Sequence, residues 1–151
     1  MNTVESLSSA MLEAYLKGEG WKYTVDSDGD YKVEFSHSNT TDCELTMWLI
    51  LTGSSKSIYK VMFLSDKTFD EENWGGSVLL CNKWNVERRW PKAHFRTVER
   101  RGRTVGTIVL EGNWDFGPGV HQELLNSLTD NVFYGATSFW EWMKDQPLGA
   151  T

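Results

Sequence analysis

Cysteine, histidine and proline are scarce in this chain of 151 residues, which has two, three and three of them. The two cysteines, Cys43 and Cys81, lie far apart and form no Cys-x-x-Cys motif. No apolar run approaches the roughly 20 residues that span a bilayer, and the N-terminus lacks the basic and apolar regions of a signal peptide. We therefore expect a cytoplasmic protein with reduced thiols that does not enter a membrane.

The chain also lacks the residue patterns of common catalytic and metal sites. Asp26, Asp28 and Asp30 alternate as in a calcium loop, but the required glycine at position six and glutamate at position twelve are missing, so a hairpin turn is the simpler interpretation. Cys81 would be a catalytic nucleophile only if a base were brought within hydrogen-bond reach, and a buried structural thiol is the simpler interpretation. The three histidines have no partner at metal-ligand spacing: His37, His94 and His121. We therefore predict no cofactor, metal or catalytic residue.

Basic residues are fewer than acidic ones, 15 against 21, and the net charge is −6. Because nucleic-acid binding relies on a net basic surface, we predict none. The balance is uneven, since residues 82–103 contain eight basic and two acidic residues. Arginine forks suit carboxylates and phosphates, so this basic segment could bind a small anionic ligand or an acidic partner. A solvated strand and turn is the simpler alternative.

The length and the 13% aromatic content indicate one globular domain over residues 1–151. Apolar periodicity predicts a first helix, capped by Asn2 and Glu5, that continues through Leu16. The apolar strand Glu44 to Leu51 is expected to be covered on both faces. The predicted strands span residues 21–25, 31–35, 44–51, 58–64, 93–99 and 104–111.

Two further helices complete the predicted order α-β-β-β-β-α-β-β-α. The second helix stops before Pro91, and Gly75-Gly76 weaken its first turn. Gly117-Pro118-Gly119 is predicted to open the last helix, which Gly135 could break in two. This order indicates an α+β fold, with a mostly antiparallel sheet covered on one face by helices. The apolar stripe of the last helix is Leu124, Leu128, Val132, Ala136, Phe139 and Met143.

The chain is organised around the segment from residue 79 to residue 91. Asn82 and Asn85 lie at i and i+3, so both amides share one helix face, where half-buried amides need hydrogen-bond partners. We expect them to brace a neighbouring strand or loop. Trp84 and Trp90 could anchor a partner, although tryptophans near a helix end are more often part of a core. The candidate binding residues are Asn82, Trp84, Asn85, Arg88, Arg89 and Trp90.

The Asn82-Lys83-Trp84-Asn85 motif, followed by a basic and aromatic segment ending in Pro91, resembles the YbjN family. The hairpin after it and the glycine-containing entry to an aromatic last helix also match that family. The resemblance implies a fold like that of type III secretion chaperones and a role in sensory transduction, but it implies no catalytic residues. The chain departs from the family at Gly75-Gly76, where a continuous helix is expected.

Two functions from different classes follow from these observations. The first is a non-enzymatic regulatory or chaperone-like module that acts through protein–protein contacts and forms a homodimer. Homodimer formation is expected because Trp48, Trp140 and Trp142 project from different sides of their elements. The alternative is a small-molecule sensor or an unrecognised enzyme with a pocket near Asn82, Asn85 and Arg89.

Overall fold

Residues 3–148 are described in the computed structural model, where three helices pack on one face of a six-stranded sheet. The predicted α+β class and element order are confirmed. A short 3-10 turn, Glu71–Asn73, precedes the second helix. The helices are α1 (Ser9–Glu19), α2 (Trp74–Glu87) and α3 (Gln122–Lys144). The strands are β1 (Thr24–Val25), β2 (Tyr31–Ser38), β3 (Cys43–Thr52), β4 (Ile58–Ser65), β5 (Lys92–Arg100) and β6 (Arg103–Asp115).

The sheet has the strand order β1-β2-β3-β4-β6-β5, and all neighbouring strands are antiparallel. Tight connections join the first four strands, whereas α2 carries the chain from β4 past β6 to the edge position of β5. The helix packs beside the edge strand that it precedes. The connection between α2 and β5 therefore lies at the border between the helical layer and the sheet.

The core lies between the helices and one face of the sheet. Val33, Met47, Phe63 and Leu110 pair in register across four strands, and all of them are buried. Phe133 of α3 packs on Phe63, with ring centroids 6.1 Å apart. Because a residue of α3 packs on it, this row belongs to the covered face. Successive strand residues point to opposite faces, so their neighbours along each strand belong to the other face.

The opposite face of the sheet has no covering helix among the described residues. Trp48 and Ile50 of β3 are half-buried there, and Lys32 Nζ lies 5.7 Å from the centre of the Trp48 ring. A lysine stem can cover apolar surface while its ammonium group remains solvated. The prediction that β3 is covered on both faces is wrong, because all three helices lie on the other side of the sheet.

The first helix begins later than predicted. Ser8 is the residue at its N-cap, Asn2 lies outside the described residues, and Glu5 belongs to an extended segment. That segment forms an isolated bridge in which Glu5 and Val120 exchange two backbone hydrogen bonds of 2.9 Å. The N-terminal residues are thus used to hold the loop before α3.

The last helix also differs from the prediction at its start. It begins at Gln122, where His121 Nδ1 accepts a hydrogen bond from the Leu124 backbone N–H at 3.1 Å, so Gly117-Pro118-Gly119 lies before it. Leu124 is exposed, and Leu125 takes its place in the core. The buried stripe is Leu125, Thr129, Val132, Ala136, Phe139, Trp140 and Met143.

Candidate functional site

Trp84, near the end of α2, fixes the chain that leaves the helix. Its ring is buried and packs edge-on against Phe139 of α3, with centroids 5.2 Å apart. Its indole Nε1–H donates a hydrogen bond of 2.9 Å to the Pro91 carbonyl oxygen. A buried indole N–H needs such an acceptor, so this bond ties the turn at residues 88–91 to the core.

Asn85 fixes the next residues of the chain. Its side-chain nitrogen donates to the Ala93 carbonyl oxygen, its side-chain oxygen accepts from the Ala93 N–H, and both distances are 2.9 Å. The amide therefore pairs with the outer edge of β5 as a neighbouring strand would. This is the bracing contact that the sequence suggested for both asparagines.

Asn82 lies elsewhere on the helix surface. Three residues of an α-helix turn through roughly 300°, so Asn82 is about 60° around the axis from Asn85. It is exposed, and its amide has no hydrogen-bond partner between residues 3 and 148. The expectation of a half-buried, bonded Asn82 is wrong, because this side of α2 faces solvent rather than β5.

We expect Asn85→Ala to lower the free energy of unfolding by about 1–2 kcal/mol, since two hydrogen bonds are lost at a partly buried edge. The melting temperature should fall by about 2–8 °C. Asn82→Ala is the matched control and should change stability by no more than about 0.5 kcal/mol. Thermal unfolding followed by circular dichroism measures both variants. Equal stability losses would contradict the different roles of the two amides.

Gly135 of α3 holds the same turn from the other side. The helix is continuous through it, so the predicted break is absent. A Cβ atom at this position would lie 2.6 Å from Pro91 Cδ and 2.7 Å from the Trp90 carbonyl oxygen. Glycine here allows the backbone of the turn to approach the helix closely.

The anchored turn presents three of the predicted binding residues to solvent. Arg88, Arg89 and Trp90 are exposed, and Trp90 keeps 44% of its surface accessible. The Arg88 guanidinium carbon lies 4.7 Å from the centre of the Trp84 ring, a cation–π contact that orients the arginine. Tyr134, on the facing side of α3, is 65% exposed.

Two cavities meet at the Arg89-Trp90 pair. One, of about 490 Å³, is also lined by Arg88 and Tyr134, and the other, of about 300 Å³, by Trp114 and Leu128. Asn131 lines both cavities, whereas Asn82 and Asn85 line neither. The surface formed by Arg88, Arg89, Trp90, Asn131 and Tyr134 is called the Trp90 groove below.

The basic residues near the groove differ in whether a carboxylate pairs with them. Glu111 lies between two ammonium groups, at 3.2 Å from Lys60 and 3.1 Å from Lys92. Burial alone would raise the pKa of Glu111, but the two lysines outweigh it and lower that pKa. Lys92 thus shares one carboxylate with Lys60, while no carboxylate in the described part of the chain forms an ion pair with Arg88 or Arg89. These two arginines are available to an anionic group.

Three of the other basic residues of the segment 82–103 lie at the far end of β5. Arg100, Arg101 and Arg103 surround the β5–β6 turn, where Arg103 pairs with Asp70 at 2.9 Å. Nine strand residues span roughly 30 Å, so this end is well separated from Arg89. The basic segment therefore does not form one continuous face, and the residues of this turn are separate from Arg88 and Arg89.

Other sequence candidates have structural roles. Asp26 Oδ1 accepts backbone hydrogen bonds from Asp28 at 2.9 Å and Asp30 at 3.0 Å, which closes the predicted hairpin turn. Cys43 and Cys81 are free and buried. Burial raises the pKa of Cys81 to about 12, so its thiol stays protonated near neutral pH and is a poor nucleophile.

The family can be assigned from the sequence match across these elements. The sequence model of the family YbjN, "Putative bacterial sensory transduction regulator", matches residues 8–144, from the start of α1 to the end of α3. The chain belongs to the YbjN family. The resemblance suggested by the Asn82-Lys83-Trp84-Asn85 motif is therefore confirmed.

A solved YbjN structure, described as "a putative transcription regulator from E. coli", is similar in fold to this YbjN chain. The two are 7% identical, the similarity covers 97% of each chain, and the TM-score is 0.71. At such low identity the likeness shows the fold alone. A comparison with curated proteins found no match. Across residues 3–148, no helix has the length and apolar character needed to cross a bilayer.

Sequence reasoning missed the contribution of α3 to the groove. Asn131 and Tyr134 lie off the apolar stripe, so they resembled ordinary surface residues of an amphipathic helix. The available signal was Gly135, since a glycine inside a long helix often has a packing reason. In this helix the reason is the close approach of the Trp90-Pro91 backbone.

Proposed function

We propose that this YbjN protein is a non-enzymatic regulatory module that holds a protein partner in the Trp90 groove. The main supporting observation is an exposed tryptophan on a turn anchored by Trp84, Asn85 and Gly135. Tryptophan, tyrosine and arginine are the residues most often found at binding hot spots, and the groove contains all three. A turn already fixed before binding loses little conformational entropy on association.

The groove favours a partner segment with an apolar side chain next to an acidic group. The cavities on either side of Trp90 can accept the apolar side chain, and Arg88 and Arg89 can bind the carboxylates. This chemistry suits a chaperone-like role in which part of another protein is held, and it also suits a small anionic ligand. A cytoplasmic location is part of the proposal and agrees with the free thiols of Cys43 and Cys81.

Affinity capture from the native cell, followed by mass spectrometry, identifies the partner, and Trp90→Ala then tests the groove. We expect the affinity for the captured partner to fall by about 10–100-fold, because truncating a hot-spot residue costs about 2 kcal/mol or more. Leu124→Ala is the control, since Leu124 is another exposed apolar residue, located near the start of α3. Partner affinity that is unchanged in Trp90→Ala, with the fold checked by circular dichroism, would contradict the proposal.

A small-molecule sensor remains the second candidate, but its supporting cavity is different from the predicted one. Asn82 and Asn85 do not join Arg89 around the two cavities described above. A mainly apolar cavity of about 450 Å³ instead lies where Phe35 and Leu45 face Phe133. Mass spectrometry of small molecules in the same capture experiment distinguishes the candidates, because a sensor's ligand should be retained by Trp90→Ala.

Self-association as a homodimer is the last part of the proposal, although its original support has changed. Trp140 is buried in the core, and the partly buried Trp142 packs against Trp84 of the core with ring centroids 5.6 Å apart. Trp48 alone of the three lies on the uncovered sheet face. The exposed side of α2 supplies further support, since it carries the exposed apolar residues Val78, Leu79 and Val86.

A further inference from the structure

The indole N–H of Trp140 is a buried donor that the fold leaves without an acceptor. Trp140 lies near the end of α3 and keeps only 3% of its surface exposed. Among residues 3–148, its Nε1 is the only buried side-chain nitrogen or oxygen atom that has no hydrogen-bond partner. The buried indole of Trp84, by contrast, donates to the Pro91 carbonyl oxygen. Because an unpaired buried donor is costly, the exception at Trp140 needs a physical reason.

Trp140 lines a cavity of about 320 Å³ where three parts of the chain meet. The end of α3 and the residues after it form one wall, and the β2–β3 turn and the segment after β4 form the others. This volume lies at the lower end of the roughly 300–1,000 Å³ range of small-molecule sites and exceeds what a single water needs. The cavity shares no residue with the Trp90 groove.

The charged residues around this cavity leave one ammonium group for a ligand. Lys67 Nζ pairs with Asp42 at 3.0 Å, so their charges offset each other. Lys144 Nζ donates to the Asn39 carbonyl oxygen at 2.9 Å, and it forms no ion pair with a carboxylate in the described part of the chain. The charged side chains of the lining therefore have a net positive charge, which favours an anionic ligand.

Trp140 and Lys144 are four residues apart, so they lie on the same face of α3. The flexible lysine stem can bring its ammonium group beside an acceptor that is bound to the indole. A carboxylate has two acceptor oxygens, so one can accept the indole N–H and the other the ammonium. The rest of the cavity suits an apolar body, because Phe69, Met143 and Leu148 line it.

We propose that this cavity binds a small carboxylic acid with an apolar body, whose carboxylate lies between Trp140 Nε1 and Lys144 Nζ. This inference adds a ligand site to the protein and does not depend on the partner proposed for the Trp90 groove. The ligand supplies the acceptor that Trp140 lacks and the negative charge that Lys144 lacks. A ligand of this size makes few contacts, so we expect a dissociation constant of about 1 mM.

Benzoate is the probe, and the indole N–H signals in a proton–nitrogen NMR spectrum of the isotope-labelled full chain report its binding. The eight tryptophans give eight such signals, and Trp140→Phe identifies the Trp140 signal by its loss. We expect benzoate to shift the Trp140 signal saturably, toward the position of a hydrogen-bonded indole. A Trp140 signal that does not move at about 10 mM benzoate, well above the expected dissociation constant, would overturn the proposal.

Benzyl alcohol tests the charge of the ligand, since it has the same ring and no carboxylate. We expect it to bind at least about tenfold more weakly than benzoate, because the hydrogen bond from Lys144 is strong only to a charged acceptor. Equal affinities for the two probes would overturn the carboxylic acid as the ligand class.

Lys144→Met tests the ammonium group, and Lys17→Met is the matched control, since each lysine lies in the last turn of a helix. We expect Lys144→Met to raise the dissociation constant of benzoate at least about tenfold, while Lys17→Met leaves it unchanged. The indole signals outside the cavity should keep their positions in both variants, which shows that the fold is intact. Benzoate affinity that is the same in Lys144→Met as in the parent would refute the role of this lysine.

Two further variants separate this site from the proposed function and from the chain's own residues. Trp90→Ala keeps every residue of the cavity, so unchanged benzoate binding is the expected result in that variant. Partner affinity is measured separately and decides the Trp90 groove alone. Removal of residues 149–151 should leave the Trp140 signal of the free protein in place. A shift of that signal would overturn the ligand, because the chain itself would then supply the acceptor.

Discussion

Trp84→Ala is expected to lower the free energy of unfolding by about 3–5 kcal/mol, the usual cost of removing a large buried aromatic ring. The melting temperature should fall by about 6–20 °C. The loss has two sources, since the ring fills the space beside Phe139 and its N–H satisfies the Pro91 carbonyl oxygen. Trp84→Phe keeps a ring but loses the hydrogen bond, and we expect an intermediate cost of about 1–3 kcal/mol. Chemical unfolding measured by circular dichroism gives these free energies.

Trp48→Ala is the control for this pair of variants. Trp48 is half-buried on the uncovered sheet face and makes no side-chain hydrogen bond within the described part of the chain. Its removal should cost clearly less than that of Trp84, about 1–2 kcal/mol. If the two alanine variants were equally stable, Trp84 would not be the anchor of the turn.

Gly135→Ala is expected to destabilise the protein, although alanine is normally the better helix residue by about 1 kcal/mol. The new Cβ would lie 2.6–2.7 Å from atoms of Pro91 and Trp90. Trp84 and Asn85 hold this backbone in place, so it cannot move away without loss of their hydrogen bonds. We expect the overpacking to outweigh the helix preference and the net loss to be about 1–3 kcal/mol. Thermal unfolding measures it.

Gly18→Ala provides the matched control in α1, since no atom lies within 4 Å of the added Cβ and the backbone is helical. Its stability should rise by up to about 1 kcal/mol. Opposite signs for two glycine-to-alanine changes in helices would establish the close contact at Gly135. The contact is refuted if both changes stabilise the protein.

The strand pattern and the end of α2 were predictable because their signals are local. Alternation marks β2, Asp28-Gly29 marks a turn, and Pro91 ends the helix before it. The buried face of α3 was harder to predict, since Leu124 and Leu125 are adjacent and equally apolar. The helix buries the face that contains Leu125 and Thr129. The Thr129 hydroxyl forms hydrogen bonds of 2.7 Å with the Leu125 carbonyl oxygen and with the Tyr59 hydroxyl, which offset the cost of burying this polar group. Such a network depends on residues far apart in the chain.

The candidate site likewise combines features that local sequence signals predict and features that depend on distant parts of the chain. Arg88, Arg89 and Trp90 lie together because they are consecutive, so the sequence was sufficient to group them. The different roles of Asn82 and Asn85 depend on the position of β5, which no local pattern specifies. The uncovered sheet face was missed because Trp48 and Ile50 give β3 the continuous apolar pattern of a strand covered on both faces, although helices cover only one of them.

The pairing of Asn85 with Ala93 also bears on aggregation. An edge strand presents unpaired backbone groups that can recruit a strand from another molecule, and charged side chains normally prevent this. Along β5, Arg96 at the middle and Glu99 and Arg100 at the far end provide such charges, whereas Ala93 lies near the start and is buried against the core. The Asn85 amide forms hydrogen bonds with the outward-facing backbone N–H and C=O of Ala93, as a further strand would. Loss of this amide therefore leaves the backbone N–H and C=O of Ala93 free to pair with a strand of another molecule. We expect insoluble protein to accumulate in expressing cells even where the folded variant remains functional.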